Sequence, residues 1–346
     1  MNSLLTELDE LPPGLLEKRA DELHEILGGP TLIHLQGKRT EPLFVSVLMH
    51  GNETTGWDAV CSVLKQYETN EGVELPRSLS LFIANTMAAE EGVRRLPDQP
   101  DYNRVWPGGD DYESPEHEMM CQVIDSMSVR GMFAALDIHN NTGLNPYYAC
   151  VNVLEHQALQ LASVFGRTVV YFVRPKGVAS MALAALGVAL TLECGKVGES
   201  AALQHTAEFI DACLHMSELP ERAVAPHDVH LFHTVAVVRV VESVEFGFGD
   251  SQATLSLIED IEHQNFRELP AGFVLANVVS DGAFPVEVKG EDDRDITTRY
   301  FEIVNGQLRT KLPVMPSMLT RNKQVITQDC LCYLMERYDQ HLADAG

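Results

Sequence analysis

The feature that most constrains this chain is a set of short, nearly unbroken apolar runs lying between stretches of helical periodicity. LFVSVLMH (43–50), SLSLFIAN (78–85), MFAALDIH (132–139), TVVYFV (168–173) and GVALTLE (187–193) are the runs. A strand with one wet face alternates apolar and polar side chains; a run without alternation belongs to a strand covered on both faces. The intervening segments supply the covers. WDAVCSVLKQY (57–67), SPEHEMMCQVIDSM (114–127), HQALQLASVFGR (156–167) and SAALQHTAEFIDACLHM (200–216) have helical spacing, and Ser114-Pro115-Glu116 opens the second of these with capping residues. A further helix is predicted over 14–27, with Gly28 just beyond it. Strands separated by helices predict an α/β domain, a sheet flanked by helices, in which ligands sit at the carboxyl ends of the strands.

The pattern changes at SELPERAVAPHDVH (217–230), which is polar and proline-bearing. Beyond it lie short β-type stretches: HTVAVVRVV (233–241), FVLANVV (273–279), FPVEVKG (284–290), YFEIVNG (300–306) and QVITQDCLCYL (324–334). Two domains are therefore expected, an α/β domain over 1–216 and a smaller β-rich domain over 217–346 that could cap a cleft.

Charge excludes some partners. Fifty acidic residues face twenty-five basic ones, a formal net charge of -25. Such a surface repels nucleic acid and anionic membranes, so neither is expected as a partner. Seven cysteines without a CxxC pair fit reduced thiols rather than a disulfide framework. The start, MNSLLTELDELPPG, lacks the basic region and long apolar core of a signal peptide, and the apolar run from Val178 to Leu192 is short for a bilayer. A cytoplasmic location is the expectation; a homo-oligomer is left open.

The chemistry gathers where the strands end. The first run ends at His50, with Gly51, Asn52 and Glu53 following; the second ends at Asn85; the third holds Asp137 and His139; the last closes on Glu193. One polar residue at a strand end is ordinary, and an isolated HxxE is most often a solvated turn. Two histidines and a glutamate together make an open zinc set that leaves a position for water. Gly51 permits a tight backbone between the first two. Asp137 lies two residues before His139, on the same strand face, where it could accept the free imidazole N–H and orient the ring.

These residues also carry a family resemblance. His50-Gly51-Asn52-Glu53, Asn85, Arg94, Asp101-Tyr102-Asn103-Arg104, Asp137-Ile138-His139-Asn140-Asn141-Thr142 and Leu192-Glu193-Cys194-Gly195 occur in the order seen in the succinylglutamate desuccinylase/aspartoacylase family, part of the larger zinc carboxypeptidase-like group. The resemblance covers about residues 43–200. It implies a zinc-carboxypeptidase-like mixed sheet and one Zn²⁺ per chain held by His50, Glu53 and His139. It implies Glu193 as general base and proton donor, Arg94 beside the oxyanion, and Asn103 and Arg104 on a substrate carboxylate. The substrate would be a small N-acyl amino acid or short peptide. The needs of amide hydrolysis agree with these roles: an activated water, a cation where the oxyanion grows, and a carboxylate to move the proton. For Arg94 and Arg104 the competing reading is a surface ion pair in an acidic chain.

The resemblance departs in one place. Well-known members carry another arginine shortly before the catalytic glutamate, reading the acyl group's distal carboxylate. Here that segment is GVASMALAALGVAL (177–190), with no charge; Arg174, Lys176 and Lys196 lie nearby but match no position. A less acidic acyl group is the resulting expectation. Two other readings stay open. One is a metallocarboxypeptidase acting on peptide C-termini. The other is a catalytically silent binding protein, which would have no reason to keep Glu193. Tyr147, Tyr148 and the acidic insert 111–118 with His117 are secondary candidates, read as edge-strand packing and a solvated helix start.

Overall fold

The computed structural model describes residues 4–68, 74–109, 113–225, 227–249, 252–279 and 283–338. The chain divides into two compact units: one of residues 1–140, 147–171 and 175–230, the other of 141–146, 172–174 and 231–346.

The first unit is built on a mixed sheet. Its strands are β1 (Thr6–Leu8), β2 (Thr31–Leu35), β3 (Arg39–Val47), β4 (Arg77–Ile83), β5 (Ala134–His139), β6 (Tyr148–Val151), β7 (Thr168–Tyr171) and β8 (Ala189–Glu193), in the order β1-β2-β4-β3-β5-β8-β6-β7. The centre, β4-β3-β5-β8, is parallel, while β2 and β6 run against their neighbours β4 and β8. Its longer helices are α2 (Thr55–Glu68), α4 (Pro115–Arg130), α5 (His156–Phe165) and α7 (Ser200–His215). Short helices α1 (Leu23–Leu27), α3 (Thr86–Glu90) and α6 (Ala179–Leu183) lie between them.

The apolar runs are strands, as their lack of alternation predicts. On one face, Leu32, Phe44, Phe82, Ala135 and Ala189 pack against Met119, Met120, Val123 and Met127 of α4 and Ala179, Ala182 and Leu183 of α6. Ser114 caps α4, its hydroxyl accepting from His117 N–H at 3.1 Å.

Two secondary-structure expectations change. Segment 14–27 is not one helix but two 3₁₀ turns, Leu15–Glu17 and Ala20–Glu22, followed by α1. Lys18 turns extended between them, and its carbonyl accepts from Trp57 Nε1 at 2.9 Å instead of continuing a helix. Residues 217–230 group with the first unit, tied to α5 by Gln157 on the Leu219 carbonyl and Gln160 on those of Arg222 and Ala223. Segment 324–334 is helical before it is extended: Asn322 accepts from the N–H groups of Gln324 and Val325, capping α8 (Lys323–Gln328) before the strand Cys332–Arg337.

The second unit is β-rich. One sheet contains Phe246–Phe248, Leu255–Leu257, Val274–Val278, Gln307–Thr310 and Phe301–Val304, and a long strand, His230–Val240, pairs with Val286–Gly290 and Cys332–Arg337. Its core holds Val238, Leu255, Leu257, Leu308 and Leu331. No helix among the described residues is long and apolar enough to cross a membrane.

Candidate metal centre

Strand register builds the site in ranks. Side chains two apart share a face, so the apolar row Phe44, Ala135, Ala189 continues along that face as Ser46, Asp137, Thr191. The next rank is His139 beside its register partner Glu193. One face of a buried sheet thus turns from apolar to polar within two steps, at the carboxyl ends of its central parallel strands. Ser46 Oγ donates to Asp137 Oδ1 at 2.7 Å, and Asp137 Oδ2 accepts from His139 Nε2 at 2.8 Å. That contact fixes the ring and leaves Nδ1 facing Glu53 Oε2, also at 2.8 Å.

His50 reaches the same point by another route. β3 ends at Val47, and Leu48 takes a left-handed conformation (φ 58), with its carbonyl accepting from Asn85 N–H at 2.8 Å. The chain then turns through Gly51, where a Cβ would stand 2.2 Å from the Ala88 carbonyl carbon; close approach to α3 demands glycine here. His50 Nδ1 meets Glu53 Oε1 at 2.8 Å, and its Nε2 meets Asp101 Oδ1 at 3.0 Å. Each imidazole is therefore held between Glu53 and an aspartate, and the two rings lie 5.0 Å apart.

Loop 85–104 supplies the rest. Asn85 caps α3 through Ala88 N–H and donates to Gln99 Oε1 at 2.9 Å. Arg94 Nη2 donates to Asp101 Oδ2 at 2.9 Å, and Arg94 Nη1 lies 3.8 Å from Glu53 Oε1. Arg94 is buried, in the segment that follows α3. Asn103 is buried too, and its amide is engaged by the protein. Oδ1 accepts from Ala179 N–H at 2.9 Å, and Nδ2 donates to Asp137 Oδ2 at 3.4 Å while lying 3.1 Å from His139 Nε2. Arg104 is half-buried, with Nη1 donating to the Asn103 carbonyl at 2.8 Å.

Electrostatics follow the geometry. Burial alone would raise the Glu53 carboxyl, but His50 and His139 overcome it and hold Glu53 far below its ordinary range. Burial opposes charge on His139, yet Asp137 and Glu53 lift it well above its usual value. Burial and Arg94 oppose charge on His50, and Glu53 with Asp101 outweigh them. Asp101, half-buried, is held well below the carboxylate range by Arg94 and His50.

His50, Glu53 and His139 each offer a ligand atom within 4.8 Å of the others, the one group of this kind among the described residues. Two imidazole nitrogens and a carboxylate, with carboxylates behind both rings, fit zinc by donor chemistry. His117 takes no part: its Nδ1 donates to the Val105 carbonyl at 2.8 Å. Residues 111 and 112 of the acidic insert lie outside the described residues. Tyr148 opens β6, an interior strand, opposite Glu193, and the Tyr147 ring lies against Gly195 and stacks on His205. Asp101 and Ser46 join the site without a sequence signal of their own, one on a loop and the other inside an apolar run.

A family model described as the succinylglutamate desuccinylase/aspartoacylase catalytic domain matches residues 40–217, more than half of the chain. No curated protein matches it. Among solved structures, the succinylglutamate desuccinylase from Chromobacterium violaceum is similar at TM-score 0.57 and 17% identity, over 87% of this chain and 85% of that one. Murine aminoacylase 3 is similar at TM-score 0.54 and 14% identity, over 87% and 96%. The ectoine utilization protein from Ruegeria pomeroyi is similar at TM-score 0.54 and 15% identity, over 88% of each chain. At these identities the likeness is one of fold, and it extends past the family model's limits. With more than half of its length matched by the catalytic-domain model, the chain belongs to the succinylglutamate desuccinylase/aspartoacylase family of deacylases.

Proposed function

We propose that the protein is a zinc-dependent hydrolase that cleaves the amide bond of a small N-acyl amino acid. The observation that supports this most is the convergence of His50 Nδ1, His139 Nδ1 and both Glu53 oxygens, with Glu193 in register beside His139. Zinc held there supplies a Lewis acid and lowers the pKa of water to about 7. Glu193 takes the proton from the attacking water and returns it to the leaving amine nitrogen. Arg94, fixed by Asp101, presents a cation to the oxyanion that forms at the scissile carbonyl. Asp137 and Asp101 hold the imidazoles in one tautomer, and Asn103 braces the Asp137–His139 pair. Arg104, whose fork can bond two oxygens, takes the substrate's amino-acid carboxylate.

The segment before Glu193, residues 177–190, carries no basic residue. Ala179, Ala182 and Leu183 are packed in the core, Arg174 is paired with Asp293 at 2.7 Å, and Lys176 is exposed. A neutral acyl group is the preferred substrate in this reading. In a deacylation panel, N-acetyl or longer neutral N-acyl amino acids should be cleaved faster than N-succinyl ones; the reverse order removes the proposal. The decisive variant is Glu193→Gln. It should keep stoichiometric zinc while turnover falls by about 10²- to 10⁴-fold; full activity would refute the assigned base.

A further inference from the structure

Asn140 follows His139 directly, is buried, and has every polar atom of its side chain in use. Its Oδ1 accepts from Thr55 N–H at 3.2 Å, in the first turn of α2. Its Nδ2 donates to Thr55 Oγ1 at 2.9 Å and to the Gly195 carbonyl at 2.8 Å. Its backbone N–H donates to Glu53 Oε2 at 3.1 Å. One residue therefore touches the Glu53 carboxylate, the helix start just past Glu53, and the turn just past Glu193.

That turn needs an anchor. The ladder between β5 and β8 ends with Cys194 N–H donating to the His139 carbonyl at 2.9 Å, after which Gly195 swings left-handed (φ 80). A Cβ on Gly195 would sit 2.5 Å from the Tyr147 ring, so the turn is pressed from that side and held by Asn140 from the other. A buried amide with all its partners satisfied is a stiff connector, since losing any one contact strands a polar group away from water.

We infer that Asn140 is a positioning residue that sets the distance between the ligand-bearing turn at Glu53 and the base-bearing turn at Glu193. The inference rests on the zinc-hydrolase reading for its effect on turnover, but its structural half is independent of that reading. A substitution leaves the backbone bond to Glu53 in place and removes the side-chain strut to Gly195. Metal affinity should then change less than turnover, because the ligands stay oriented while the base drifts.

Two full-length variants test this. Asn140→Ala removes the strut. Asn140→Asp keeps the Oδ1 acceptor and the volume, but loses both Nδ2 donations and sets an oxygen against the Gly195 carbonyl. Hydrogen exchange of the metal-free protein should quicken in peptides covering 53–58 and 193–199 and nowhere else. Unchanged exchange over 193–199 in both variants overturns the inference, whatever the activity. In the zinc-loaded protein, kcat should fall on the order of 10- to 100-fold, with KM nearly constant and zinc affinity, measured against a chromophoric chelator, reduced by a smaller factor. A loss of zinc affinity equal to the loss of kcat would overturn the assignment to the base-bearing turn. If the parent binds no zinc and cleaves no N-acyl amino acid, the zinc-hydrolase reading fails, while the exchange result still decides the strut.

Discussion

The two histidines of the centre make the same pair of contacts and come by them in opposite ways. His139 and its aspartate sit two residues apart on one strand, 2.8 Å between them, and sheet register does the positioning. His50 and Asp101 are fifty-one residues apart, 3.0 Å between them, and both lie on loops. That half depends on long-range ties: Gly51 N–H on the Arg94 carbonyl, Asn85 on Gln99, and Arg94 on Asp101. The difference separates two jobs. The strand-borne half is placed by the sheet, and the loop-borne half carries Arg94 with it through Asp101.

Substitutions can break that comparison. The largest effect belongs to the ligands themselves: His50→Ala and His139→Ala should each abolish stoichiometric zinc by metal analysis, and a variant that keeps its zinc removes that residue from the set. Next comes Arg94→Gln, which should cost turnover about 10²- to 10³-fold with zinc retained; a proportionate loss of zinc would make Arg94 a structural partner only. Asp101→Asn and Asp137→Asn should each weaken zinc binding roughly 10- to 100-fold. Only Asp101→Asn also loosens Arg94, so its kcat should fall further than its zinc affinity, whereas in Asp137→Asn the two should fall together. Matching behaviour of the two variants would erase the division between the halves.

The smallest effect is a pH dependence. In the metal-free protein His139 titrates well above 6.5, so its contribution to stability is full below that value and is lost as pH rises through the raised one. Glu53 titrates below 4.5 and Asp101 below 3.8, so their contributions are present above those values and are lost as pH falls. Metal-free Tm should therefore peak between about pH 4.5 and 6.5. Zinc, which needs neutral imidazoles, should add more stability as pH rises beyond that window. Calorimetry with and without zinc checks this; a metal-free Tm still climbing above pH 7 contradicts it.

The strand-borne half was also the half legible in the sequence. An apolar run fixes a covered strand, period two puts Asp137 with His139, and no distant information is required. Glu53, a candidate ligand, is legible too, three residues from His50. Asp101 was quoted in a motif, but its contact with His50 depends on how loop 85–104 folds, which no local pattern encodes. Asn103 shows the same limit: its contacts with Ala179 and Asp137 depend on where α6 and β5 lie, which its own neighbours in sequence do not encode. Segments 14–27 and 324–334 depart from their periodicity because a tertiary contact, Trp57 on Lys18, and a single cap, Asn322, outweigh it.

Leu48 carries a consequence for which substitutions the site tolerates. A leucine at φ 58 carries about 1–2 kcal/mol of backbone cost that glycine would not. Yet Leu48 is wholly buried, and glycine there would open a hole beneath the histidine. Asparagine would accept the turn and bring a polar group into an apolar place; valine or isoleucine would suit the place and refuse the turn. Few of the twenty amino acids meet both demands, so the residue two before His50, with no chemistry of its own, should tolerate as little change as a ligand does.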